Sequence, residues 1–169
     1  MKRFTDAIDK ALRDQNWLAA AALSLTMPDV CGGMEHPNDE SKKRYKAWWD
    51  KYMLKHYQMV SGADAYDLRC AYLHEGRLSQ RARQALTRFH FVVTVVPKGG
   101  LVPRRRVARQ VRNIVATSRG YKPRILEVDA FCKQIIDAVS SWSRDVSRDQ
   151  AIQKRLQSLL EIRELPTRR

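Results

Sequence analysis

Apolar residues return every three or four positions from the start of the chain. Phe4, Ile8, Leu12 and Leu18 set this rhythm, and it merges with an almost wholly apolar run over 17–25. The spacing predicts one long helix over 3–25. Pro28, Gly32 and Gly33 then interrupt the pattern, which predicts a loop over 27–39. Ser41 offers an N-cap to a second helix, over 41–57, whose apolar face carries Tyr45, Trp48, Trp49 and Tyr52. Ser61 and Gly62 break that helix. A third runs over 63–74, with Gly76 placed to end it.

The period then changes. Residues 88–96 are rich in β-branched and aromatic side chains and lead into Pro97, Gly99 and Gly100, the pattern of a strand entering a turn. Residues 101–118 fit either a return strand or a short basic helix. Beyond Pro123 the helical period resumes through Val128, Phe131, Cys132, Ile135, Val139, Trp142 and Val146. Ile152, Leu156, Leu159 and Leu160 extend it into a last helix ending near Pro166. The expected fold is mainly α: one domain built as a helical bundle with an inserted β-hairpin or short strand pair. Its parts are a bundle over 1–76, a basic strand-containing segment over 77–124, and C-terminal helices over 125–165.

Composition sharpens this outline. The 169 residues are 44% hydrophobic and 30% charged, ordinary values for a folded domain and too apolar for default disorder. Cys31, Cys70 and Cys132 are odd in number and far apart, without CxxC or zinc-ligand spacing. That usage fits a reducing compartment, hence the cytoplasm, better than a disulfide framework. The run over 17–25 imitates an export signal. However, Asp6, Asp9 and Asp14 precede it, and it is shorter than the roughly 20 residues of a membrane span. A core helix, with no membrane partner, is the expectation.

Charge is where the sequence is least even. Between Gly76 and Leu126 lie thirteen Lys or Arg and no Asp or Glu, whereas the other 19 basic residues nearly balance all 18 acidic ones. Almost the whole net charge of +14 therefore sits in one continuous stretch. Arg104, Arg105, Arg106, Arg109, Arg112, Arg119 and Lys122 are its candidate phosphate contacts. Arginine predominates, and its planar fork matches phosphate oxygens. Phe89, His90, Phe91 and Tyr121 offer rings for base stacking, or equally for a core. RNA is the partner this segment suits. An acidic protein partner, antitoxin-like, would neutralise it equally well.

The third helix carries the candidate chemistry. Arg69 and His74 stand among apolar or small neighbours, where an unpaired charge is costly. One explanation is an internal salt bridge from Arg69 to Asp64, Asp67 or Glu35. The other is a site. Leu68 and Arg69, four intervening residues including Leu73, then His74 and Gly76 form a pattern that resembles the Arg-x4–6-His signature of the HEPN superfamily. Those are helical domains of bacterial toxin and antiviral systems, many of them metal-independent ribonucleases and others binding modules. The resemblance covers roughly 1–76. Stretches 28–32, 44–52 and 129–132 are also similar to a group of bacterial proteins of no assigned role.

The resemblance implies a homodimer that pools Arg69 and His74 across a two-fold axis, in defence or toxin–antitoxin biology. On a regular helix, positions five apart diverge by about 140°, so one chain alone does not align them. It also implies transesterification by the ribose 2′-OH, giving a cyclic phosphate. His74 would shuttle the proton, and Arg69 would stabilise charge on the phosphoryl oxygens. Asp67 shares a stripe with Cys70 and His74 and is the candidate to orient the imidazole. Cys70 stands where active members often carry a polar residue. No cofactor or metal is expected, since Cys70 and His74 offer at most two ligands and structural zinc takes four. Cys31 is expected to be an inert thiol. The alternative function is a non-catalytic nucleic-acid- or protein-binding module that keeps Arg69 and His74 for structure.

Overall fold

The computed structural model describes residues 1–58, 60–74, 89–92 and 124–159. Within them the chain is mainly α. Helices α1 (Lys2–Arg13), α2 (Trp17–Glu35), α3 (Ser41–Tyr52) and α4 (Gly62–His74) precede strands β1 (Phe89–Val92) and β2 (Arg124–Glu127). Helices α5 (Val128–Asp145) and α6 (Gln150–Gln157) follow.

The expected first helix is two. Gln15 takes a left-handed φ of 57°, and Asn16 accepts the Ala19 N–H at 3.2 Å to begin a new helix. The break resets the phase of the apolar stripe. Ile8 and Leu12 stay buried, but Leu18 is turned out and is 74% exposed. The expected loop over 27–39 is also corrected, because α2 continues through Pro28, Gly32 and Gly33 to Glu35. Gly32 serves packing instead. A Cβ at Gly32 would lie 2.8 Å from the Arg44 carbonyl oxygen, so the missing side chain is what lets α3 cross so closely.

α3 stops at Tyr52, five residues short of the expected end. Its aromatic face is core: Tyr45, Trp48 and Trp49 are at most 1% exposed. The Trp49 indole donates to the Val60 carbonyl at 2.9 Å, and the Tyr52 hydroxyl to Asp145 at 3.0 Å. α5 packs across this face through Phe131, whose ring meets Trp49. Val128, Phe131, Cys132, Ile135, Val139 and Trp142, the periodic positions read from sequence, are all buried. One core thus draws on the N-terminal helices and on α5 together.

β1 lies inside the expected strand, but its partner is not a hairpin return. β1 and β2 are parallel, with Phe89 opposite Arg124 and Val92 opposite Glu127, so residues 93–123 form a crossover between them. The expected ambiguous element over 101–118 lies outside the described residues, as does the end of the last helix near Pro166. β2 occupies the start of the stretch expected to be C-terminal helix. It hands over directly to α5 when the Glu127 carboxylate accepts the Ala130 N–H at 2.7 Å. Phe91 fixes the sheet to the bundle, with its ring edge-on to Phe131 and Tyr72.

Candidate functional site

α4 begins where Ser61 and Asp64 bond reciprocally, Ser61 Oγ donating to the carboxylate at 3.0 Å and accepting the Asp64 N–H at 3.2 Å. Ala65, Leu68 and Ala71 form its buried stripe. Beside that stripe Arg69 reaches across to α2, where its Nη2 meets Asp29 Oδ2 at 2.6 Å, with side chains only 18% and 13% exposed. The other Asp29 oxygen accepts the Ser41 hydroxyl at 2.9 Å. One carboxylate therefore joins α2, α3 and α4.

Two further groups flank the guanidinium. Its Nη1 lies 3.8 Å from Cys70 Sγ, and its Cζ lies 5.9 Å from the Tyr66 ring centre. Tyr66 in turn meets Tyr45 edge-on at 5.4 Å. Burial works against the charge of Arg69, but Cys70 and Asp29 outweigh it and hold its proton more firmly than usual. Burial, reinforced by Asp29, pushes the Tyr45 phenol well up. A guanidinium so engaged is a strong structural tie and has correspondingly less capacity for a phosphate.

The internal salt bridge expected for Arg69 thus exists with a different acid. Glu35 instead meets Lys51 at 3.6 Å, and Asp64 serves the start of α4. Asp67 is exposed. His74 is the last residue of α4, helical to that point, so its backbone direction and that of Arg69 diverge by about 140°. The His74 side chain lies outside the described residues. So do Arg104, Arg105, Arg106, Arg109, Arg112, Arg119 and Lys122, together with Tyr121 and the side chains of Phe89 and His90. Phe91 is a packing residue.

Sequence reasoning missed Asp29, Ser41 as its donor, and Tyr66. Asp29 was hidden because Pro28 and the paired glycines marked its surroundings as loop. Cys31 is no loop thiol; it is fully buried in α2, and burial raises its pKa well above the ordinary value. Burial likewise pushes Cys132 up to about 11. Neither offers a thiolate nucleophile near neutrality. Among the described residues no group of three or more His, Cys, Asp or Glu could hold a metal ion, and no helix is long and apolar enough to cross a membrane. No family model, curated protein or solved structure matches this chain.

Proposed function

We propose that this protein binds RNA through its arginine-rich segment and that the helical bundle is the scaffold presenting it. The observation that carries this reading is the acid-free stretch from Gly76 to Leu126, with thirteen basic residues. A polyanion releases counterions when it meets such a segment, which supplies affinity without any shape-specific pocket. The crossover over 93–123 holds eight of these cations and is tethered at both ends, through β1 and β2, to the buried core. On this reading Arg69 is a structural cation, because Asp29 and Cys70 already occupy its guanidinium.

The test is anisotropy of a labelled single-stranded RNA titrated with the full chain over a range of salt. Binding is expected to weaken with a log–log slope near −0.7 for each phosphate contacted, and replacing Arg104, Arg105 and Arg106 with Gln reduces both affinity and slope. A flat salt response would remove the proposal and point to a protein partner.

A second reading, metal-independent RNA cleavage by a dimer of the HEPN kind, rests on the spacing of Arg69 and His74 at the end of α4. In it, His74 moves the 2′-OH proton and Arg69 neutralises the phosphoryl oxygens. Incubation of RNA with the protein in EDTA separates the two. Cleavage that His74→Ala abolishes supports the enzyme, and intact RNA under saturating binding leaves the binding module.

A further inference from the structure

Several surface cations on these helices are paired with a carboxylate four residues away. Lys2 pairs with Asp6, Lys10 with Asp14, Asp9 with Arg13, Asp39 with Lys43 and Asp129 with Lys133, each across one helical turn. Arg3, Arg44, Arg144, Lys154 and Arg155 have no such partner among the described residues, and neither do Lys42 and Lys46. Lys42 and Lys46 stand one turn apart with like charge, an arrangement that costs an isolated helix a few tenths of a kcal/mol. Among the described residues neither has a carboxylate within ion-pair distance. Asp50, one turn beyond Lys46, is engaged by the Gly62 N–H at 2.9 Å.

Lys42 and Lys46 are about 40° apart around α3 and about 6 Å apart along it. They flank the buried aromatic stripe on the side facing α4: a Cβ on Gly62 would lie 2.8 Å from the Lys46 backbone, and the Lys42 ammonium lies 5.9 Å from the Tyr66 ring centre. Arg44 and Lys51 flank the other side, against Gly33 and Glu35 of α2. Lys46, Lys42 and the half-buried ring of Tyr66 therefore line the seam between α3 and α4. The seam continues past Arg69 toward the end of α4, where the arginine-rich segment begins in the sequence.

We infer that the α3–α4 seam is a second contact surface for single-stranded RNA, with Lys42 and Lys46 on successive phosphates and Tyr66 offering its ring to a base. The inference rests on the RNA-binding reading and extends it from the crossover to the bundle. Two ammonium groups along a helix beside an aromatic ring match what a flexible strand presents, alternating charge and π-face. Lysine suits the role, since its three donors adapt to a backbone without fixed geometry.

The experiment uses the full chain and a labelled oligouridine at several salt concentrations. The double variant Lys42→Gln, Lys46→Gln is expected to lower the log–log slope by about 1.4 and weaken binding at low salt. Tyr66→Leu is expected to weaken binding about tenfold with the slope unchanged, because stacking is lost and charge is not. Lys2→Gln with Lys133→Gln removes the same charge from distant helices and is expected to leave the slope alone. Far-UV circular dichroism confirms that each variant is folded. If wild type binds RNA and the α3 variant behaves like the α1/α5 control, the seam is overturned and the crossover reading survives. If wild type does not bind RNA at any salt, the broader reading falls, and the seam with it.

Discussion

At the scale of single residues, the decisive contact is Arg69 with Asp29. Removing one member leaves the other charged and largely shielded from water, which costs more than the pair contributes when intact. Asp29→Asn is expected to destabilise the fold by about 2 kcal/mol, lowering the thermal midpoint by roughly 4–8 °C for a chain of this size. Combining it with Arg69→Met should recover part of the loss, since no uncompensated charge remains. Thermal melts followed by circular dichroism check both, and an unchanged midpoint for Asp29→Asn would mean that solvent already screens the pair. The buried thiol of Cys132 gives a second, pH-dependent consequence. Its folded pKa of about 11 lies above the ordinary value of 9, so the folded state holds the proton more tightly. That contribution is complete below pH 9 and is lost as pH rises toward 11. Tyr57, raised to about 12 from 10 by burial, extends the same trend. Stability measured by urea unfolding should therefore decline from pH 9 upward, and Cys132→Ala should flatten the first part of the decline.

At the scale of elements, the helices whose faces carry aromatic or branched side chains were legible, because burial alone dictates their period. α5 reads directly from Val128 to Trp142, and α3 from Tyr45 to Tyr52. What failed was punctuation. A proline and two glycines in α2 looked like loop residues because intrinsic propensity was the visible signal, while the reason for Gly32, the close crossing of α3, is a tertiary one. The contrast between the two glycines tests this. Gly32→Ala places a methyl group 2.8 Å from the Arg44 carbonyl oxygen, which is backbone and cannot yield easily. Separating α2 from α3 there should cost about 1–3 kcal/mol. Gly33→Ala meets only the end of the Arg44 side chain, at 3.7 Å or more. It should be neutral or stabilise by up to about 1 kcal/mol through helix propensity. Equal destabilisation by both would show that helix packing does not explain the pair. The candidate site was half legible for the same reason. Arg69 was singled out by its apolar neighbours within one helix, whereas Asp29 belongs to it only through the crossing that sequence did not reveal.

At the scale of the molecule, net charge is concentrated in one part of the chain. Among the described residues the buried cluster draws on 8–68 and 126–152, with Phe91 packed against it. The crossover carries eight basic and no acidic residues, so removing it would lower the net charge from +14 to +6. This concentration was readable from sequence because charge counting needs no fold. The parallel pairing was not, since a strand followed by Pro97 and two glycines reads locally as a hairpin, and the choice of β2 depends on what α5 carries back to the bundle. What 93–123 contributes can be tested by surgery. With Phe89 opposite Arg124 and Val92 opposite Glu127, a link from Val92 back to Arg124 spans about three residues of strand and one interstrand gap, roughly 11 Å. About eight Gly/Ser residues can make that return with slack. The shortened protein is expected to keep its helical circular dichroism signal and a cooperative thermal transition, because Phe91, Leu126 and the helices retain their contacts. Its RNA affinity should fall by at least two orders of magnitude at low salt, since eight phosphate-competent cations are gone. Loss of cooperative melting would show that the crossover contributes to the core, and undiminished RNA binding would show that the bundle, not the crossover, is the principal surface.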